Sequence, residues 1–163
     1  LKTLDKVAAR DISIVSLPLC NLYLQDRRTD GTTPRWRGVT LLHEMAARGI
    51  NVAVASDNTR DPFYAYGDLD MLEVYRMATR ICHFDHSVGD WPKTVFANPA
   101  AAMGLDAGSG LIVAGMPADL IVFEGRSWTE LLSRPEANRI VIRDGALIER
   151  VIPAYEELDD LME

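Results

Sequence analysis

The sequence is short of the features that would assign a function class early. Its 163 residues include two cysteines, Cys20 and Cys82. They lie far apart with no metal-binding or disulfide spacing, so a disulfide scaffold is excluded and a reducing, cytoplasmic setting is expected. No stretch approaches the roughly 18 apolar residues of a bilayer span, so no membrane partner is expected. Cations are outnumbered, with 17 Lys and Arg against 24 Asp and Glu and a net charge of -7. No basic patch stands out, which argues against a nucleic-acid partner. Internal repeats and low-complexity tracts are also missing. What is present is 48% hydrophobic and 25% charged residues, enough for a globular domain with a real core.

Along the chain, elements alternate. The opening Leu-Lys-Thr-Leu-Asp-Lys-Val-Ala-Ala-Arg reads as the middle of a helix over 2–10, with Leu4, Val7 and Ala8 on one face. Ile12 to Pro18 is short, β-branched and closed by proline, the pattern of a buried strand. A polar stretch from Asn21 to Arg37 reads as a long loop. A helix then runs over 38–49, with Val39, Leu42, Met45 and Ala46 at helical spacing and Gly49 as its stop. Residues 50–56 form a second buried strand and 69–84 a second helix. The order β, loop, α, β, loop, α predicts a parallel sheet with crossover helices. In such folds the loops after strand carboxyl ends carry function. Both long loops here follow strands.

From about residue 93 the pattern changes. A short helix holds Pro99 in its first turns, and two apolar strands flank Gly115-Met116-Pro117. Two more strands turn at Asp144-Gly145, a strong hairpin dipeptide. The acidic end, Glu-Glu-Leu-Asp-Asp-Leu-Met-Glu, reads as a solvated helix or tail.

These residues carry a resemblance. The run from Asn98 to Gly125, with Gly115-Met116-Pro117-Ala118-Asp119-Leu120 inside it, and the following Ile140 to Ile148 resemble the closing segment of amidohydrolase-superfamily enzymes. The segment from Ser16 to Leu72 is similar to the last two βα units of cytosine-deaminase-like members. The resemblance implies an α/β fold: the last βα units of a (β/α)8 barrel over 1–105, then a small β-sandwich segment and tail over 106–163. It also implies a cytoplasmic hydrolase that deaminates an amino-substituted nitrogen heterocycle with one divalent ion, zinc or iron, and that is often oligomeric.

Within that frame Asp57, two residues after the apolar run Val52 to Ala55, takes the place of a metal-binding carboxylate that also carries protons. A divalent ion lowers the pKa of bound water to about 7, and a neighbouring carboxylate can accept its proton and deliver it to a leaving amine. On spacing alone Asp57 reads first as a cap of the following turn. Phe63, Asn58 and Asp61 fall where the family lines its substrate pocket, with Phe63 or Tyr64 offering a ring face to a flat heterocycle. Phe63 and Tyr66 could instead only cover the rim. Asn58 replaces an expected acidic residue and Ser56 an expected histidine, which leaves the substrate ring open. Asn21 and Gln25 fall near the pocket mouth, although Asn21 reads first as holding the loop backbone through its side-chain amide. Cys20 reads as a small buried apolar residue. His43, His83 and His86 show no ligand spacing, and nothing in the chain corresponds to the family's metal histidines.

One carboxylate cannot hold a hydrolytic ion, and a (β/α)8 barrel takes roughly 250 residues. The chain is therefore expected to be the carboxyl-terminal portion of such an enzyme. A barrel completed by another chain and a non-catalytic assembly or binding protein are the competing readings. A ring hydrolase acting on a triazine or cyclic amide is the enzymatic alternative. Two isolated βα units would leave sheet edges and faces bare, which favours the fragment.

Overall fold

The computed structural model describes residues 2–85, 87–134, 138–149, 151 and 154–161. It divides into two compact units, Leu1–Ala114 and Gly115–Glu163.

The first unit is built on two short parallel strands, β1 (Ile14–Ser16) and β2 (Val52–Val54), in the register Ile14↔Val52 and Ser16↔Val54. The ladder is extended at both ends, where Ile14 N–H donates to the Asn51 carbonyl and Ala55 N–H to the Ser16 carbonyl. All three β2 residues are buried, as a strand covered on both faces requires. Each valine so buried contributes about 1.5–3 kcal/mol. The outward carbonyl of Val52 is satisfied by the Asn98 side-chain amide at 2.8 Å, and the Asn51 amide returns the bond to the Asn98 carbonyl at 3.0 Å. Asn98 lies on α5 (Ala97–Ala102), so this pair fastens α5 to the strand.

The helices around the strands are α1 (Lys2–Ala8), α2 (Pro18–Leu24), α3 (Leu42–Ala46) and α4 (Met71–Cys82). Pro18 opens α2 rather than merely closing β1: its fixed φ and missing N–H suit a first helical position. The expected loop from Asn21 is thus partly helical. The expected helix over 38–49 is cut back at its start, because Gly38 N–H is taken by Gln25 and the Thr40 hydroxyl by Ser16. It also ends earlier than expected, at Ala46, and a turn over 47–49 follows in which Gly49 takes a φ of 72°. Asp70 caps α4 by accepting from Leu72 N–H at 2.9 Å. At its other end His83 adopts the left-handed conformation, and Phe84 N–H reaches back to the Thr79 carbonyl. That Schellman arrangement folds the Phe84 ring under the helix. Phe84 is fully buried, stacked on Trp91 at 4.2 Å and 6°, with Tyr75 and His43 beside it.

Past α5, the apolar stretch 111–114 forms no strand. Gly108, Gly110 and Gly115 all take positive φ and break the extended path. The second unit is an antiparallel sheet in the order β3 (Leu120–Phe123), β4 (Arg139–Arg143), β5 (Ala146–Ile148), with a helix α6 (Trp128–Ser133). Asp144 and Gly145, with φ of 49° and 77°, make the expected hairpin turn. Asp119 from the Ala118-Asp119-Leu120 motif holds this turn. Its carboxylate accepts Asp144 N–H at 2.7 Å, while the Ala118 carbonyl accepts Gly145 N–H. The acidic tail forms an exposed 3₁₀ segment over Tyr155–Leu161. His86, Met162 and Glu163 lie outside the described residues. No helix among the described residues is long and apolar enough to cross a membrane.

Candidate active site

The carboxyl ends of β1 and β2 carry the chemistry-bearing residues of the first unit. β2 runs into Ser56 and then Asp57, whose φ of 66° turns the chain sharply off the strand. Asp and Asn tolerate this left-handed conformation better than other non-glycine residues. The Asp57 side chain is exposed, and its carboxylate acts electrostatically on the Cys20 thiol of α2. Cys20 is 1% exposed, as expected of a small buried residue. Its thiol is pushed up by burial first and then by the Asp57 carboxylate, with the backbone N–H of Asn58 opposing the shift.

Asp61 organises the loop that follows. One carboxylate oxygen accepts the N–H groups of Phe63 and Tyr64 at 2.9 and 2.8 Å, and the other accepts from the Asn58 side-chain amide. Asn58 and Asp61 are therefore brought together, each engaged with its own loop. The Tyr64 N–H foremost, with the Asn58 amide and the Phe63 N–H, holds the Asp61 carboxyl below the usual carboxylate range against a desolvation that opposes it. A depressed folded pKa makes this order fully present above the ordinary value near 3.9 and lost as pH falls through the folded one. The Phe63 and Tyr64 amide proton resonances are accordingly expected to move together below about pH 4, and Asp61→Asn to abolish that titration. An unchanged titration in the variant would contradict this role.

Phe63 projects into solvent with 67% of its surface exposed, whereas Tyr64 is buried. Tyr23 of α2 meets Tyr64 and Tyr66 edge-on at 5.2 and 5.7 Å, and Arg27 lies 4.4 Å from the Tyr23 ring centre. Tyr23 has no place in the sequence reading, because α2 itself is not visible there. The loop after β1 is closed by two clasps. Gln25 accepts Gly38 N–H at 2.6 Å, and Asp26 accepts the N–H groups of Arg35 and Trp36. Beside it a pocket of about 310 Å³ is lined by Ser16, Asn21, Gln25 and Thr40, among others. Asn21 and Gln25 thus line this pocket, and Asp57 and Phe63 are not among its lining residues.

Of the ligands expected for a divalent ion, the sequence reading places one, Asp57, among these residues. No group of three or more His, Cys, Asp or Glu able to hold a metal occurs among the described residues. His43 is spent on the Cys82 carbonyl at 2.8 Å and packs on Trp91, and His83 closes α4. By themselves, then, the described residues do not form a metal site. Asp57 offers a single hard oxygen donor at a strand end.

Comparison with known proteins gives this geometry a family. The chain is 56% identical over 160 residues to a pterin deaminase of Rhizobium rhizogenes, covering 98% of this chain and 36% of that protein. Among solved structures it superposes on the Klebsiella pneumoniae 5-methylcytosine deaminase bound to 5-fluorocytosine with a TM-score of 0.77 and 28% identity. The match covers 96% of this chain and 38% of that one. The fold is shared with E. coli guanine deaminase, with a TM-score of 0.61 at 19% identity and coverage of 91% and 36%. The chain thus spans little more than a third of the length of the proteins it matches. Residues 3–151 match the profile of the amidohydrolase family, and the chain belongs to that family.

Proposed function

We propose that the chain is the carboxyl-terminal part of a metal-dependent deaminase, carrying the last two βα units of its (β/α)8 barrel and a piece of its β-sandwich. The reaction is hydrolytic replacement of a ring amino group by oxygen, with release of ammonia. The observation that carries this reading is Asp57, presented by the end of a strand buried on both faces, which holds a carboxylate more firmly than a free loop can. The 56% identity to a pterin deaminase favours a pterin-like ring over cytosine, and it accords with the departures at Ser56 and Asn58.

In this reading Asp57 accepts a proton from the attacking water and passes it to the departing amine. A divalent ion, zinc or iron, held by Asp57 and by ligands outside this chain, would supply water of pKa about 7. Phe63 offers its exposed face to the flat ring, and Asp61 with Asn58 sets the loop that presents it. The two buried free thiols suit a cytoplasmic setting. The missing ligands come from an amino-terminal portion of the same enzyme, which in this family often assembles as an oligomer. Ammonia release from pterins, aminopyrimidines and guanine by the complete, metal-replete polypeptide tests the proposal. Turnover of at least one ring is expected, and inertness toward all of them would refute it.

A further inference from the structure

Phe63 and Tyr64 are chain neighbours with opposite surroundings. Phe63 leaves 67% of its surface in solvent, whereas Tyr64 is buried. The Asp61 carboxylate fixes both backbones by accepting their N–H groups, so the seat of one ring sets the direction of the other. What holds Tyr64 in therefore holds Phe63 out. Gly67 bounds that seat on one side: its φ is 82°, and an added Cβ there would lie 3.4 Å from the Tyr64 ring. Tyr23 bounds it on another, meeting Tyr64 edge-on at 5.2 Å and 72° and Tyr66 at 5.7 Å and 80°. Tyr64 and Tyr66 meet each other at 6.2 Å and 83°. Three mutually edge-on rings have the arrangement that aromatic quadrupoles favour.

Tyr23 reaches this cluster from α2, after β1, whereas Tyr64 and Tyr66 follow β2. Its own footing is firm. Gln25 N–H returns to the Asn21 carbonyl at 2.9 Å, and the Gln25 and Asp26 side chains clasp the backbone at Gly38, Arg35 and Trp36. The Arg27 guanidinium over the Tyr23 ring restrains it further.

We infer that Tyr23 is a positioning residue for ring binding: it seats Tyr64 and so holds the exposed Phe63 in the direction that meets the substrate heterocycle. The inference rests on the ring-binding role proposed for Phe63. Asp57 is placed separately, by its turn off β2, so Tyr23 governs how tightly the ring is held and leaves proton transfer alone.

The test uses the complete, metal-replete enzyme. Tyr23→Leu keeps apolar bulk without a ring edge. It is expected to speed hydrogen exchange of the Phe63 and Tyr64 amides about 3- to 10-fold, with β1 and β2 unchanged. The same variant is expected to raise KM about 3- to 10-fold with kcat within about 2-fold of the parent. Tyr23→Phe, which keeps the ring, is expected to restore both readouts. In a Phe63→Ala background, Tyr23→Leu is expected to raise KM no further. Parental exchange or parental KM in Tyr23→Leu would overturn the inference. Exchange quickened equally in β1 and β2 would mark a merely structural role and also overturn it. If Phe63→Ala raises KM and Tyr23→Leu does not, only the role of Tyr23 falls. If Phe63→Ala itself has parental KM, the reading of Phe63 as the ring wall falls, and the inference with it.

Discussion

Replacing Asp57 by Asn is expected to lower kcat by at least about 10²–10⁴-fold, the usual contribution of a positioned general base, while leaving the fold in place. Asn keeps the size of the side chain and tolerates the left-handed backbone that Asp57 occupies. It cannot accept the proton, and it contributes no negative charge to a metal ion. Because the side chain is exposed, the change in stability is expected to stay within about 0.5 kcal/mol. Steady-state kinetics and thermal unfolding of the same preparation check both halves. The opposite pattern, full activity with a loss of about 1 kcal/mol, is what a mere turn cap at Asp57 would give. Asp57→Ala is the less clean variant, since alanine at a φ of 66° adds backbone strain of its own.

Phe84→Ala is expected to cost about 3–5 kcal/mol, the range for removing a buried aromatic ring from a core. Phe84 has no exposed surface and stacks almost flat on Trp91, with Tyr75 on another side. Its loss removes the transferred apolar surface, leaves a cavity between α4 and the 3₁₀ turn at Trp91–Val95, and forfeits an aromatic pair worth about 0.5–1.5 kcal/mol. The position also closes the Schellman cap of α4, so the helix end loosens with the core. Phe84→Leu retains most of the apolar volume and is expected to cost less than about 1.5 kcal/mol. Urea unfolding midpoints, compared at constant slope, measure the difference. A cost under 1 kcal/mol for Phe84→Ala would contradict the packing described.

Much of this architecture is legible in the sequence, for identifiable reasons. β2 announces itself as a continuous apolar run, Val52 to Ala55, and the carboxylate of Asp57 follows two residues beyond it. Asp144-Gly145 specifies its hairpin because both residues accept positive φ. Other elements are hidden. α2 is two turns long, is preceded by Leu17 without a side-chain cap, and begins with a proline that reads equally well as the end of β1. α6 carries a usable signal, Ser127 three residues before Glu130, and Ser127 does accept Glu130 N–H. An apolar stretch such as 111–114 suggests a strand, but the glycines on either side decide otherwise. In the site, the burial of Cys20 is predictable from its type. The influence of Asp57 on it is not, because it joins residues 37 positions apart through a helix that the sequence hides. Asp61 illustrates a different limit: its residue type suggests a ligand contact, whereas its geometry shows which backbone groups it holds.

The central claim is that this family member supports hydrolytic deamination through Asp57 and a bound divalent ion. The most direct measurement is ammonia release from pterin and related amino-heterocycles by the complete enzyme, stripped of metal and then titrated with zinc or ferrous iron. The account predicts negligible release without metal, recovery that rises with the ion bound, and no recovery in Asp57→Asn at any metal concentration. Ammonia release that persists undiminished in the Asp57→Asn enzyme would contradict it.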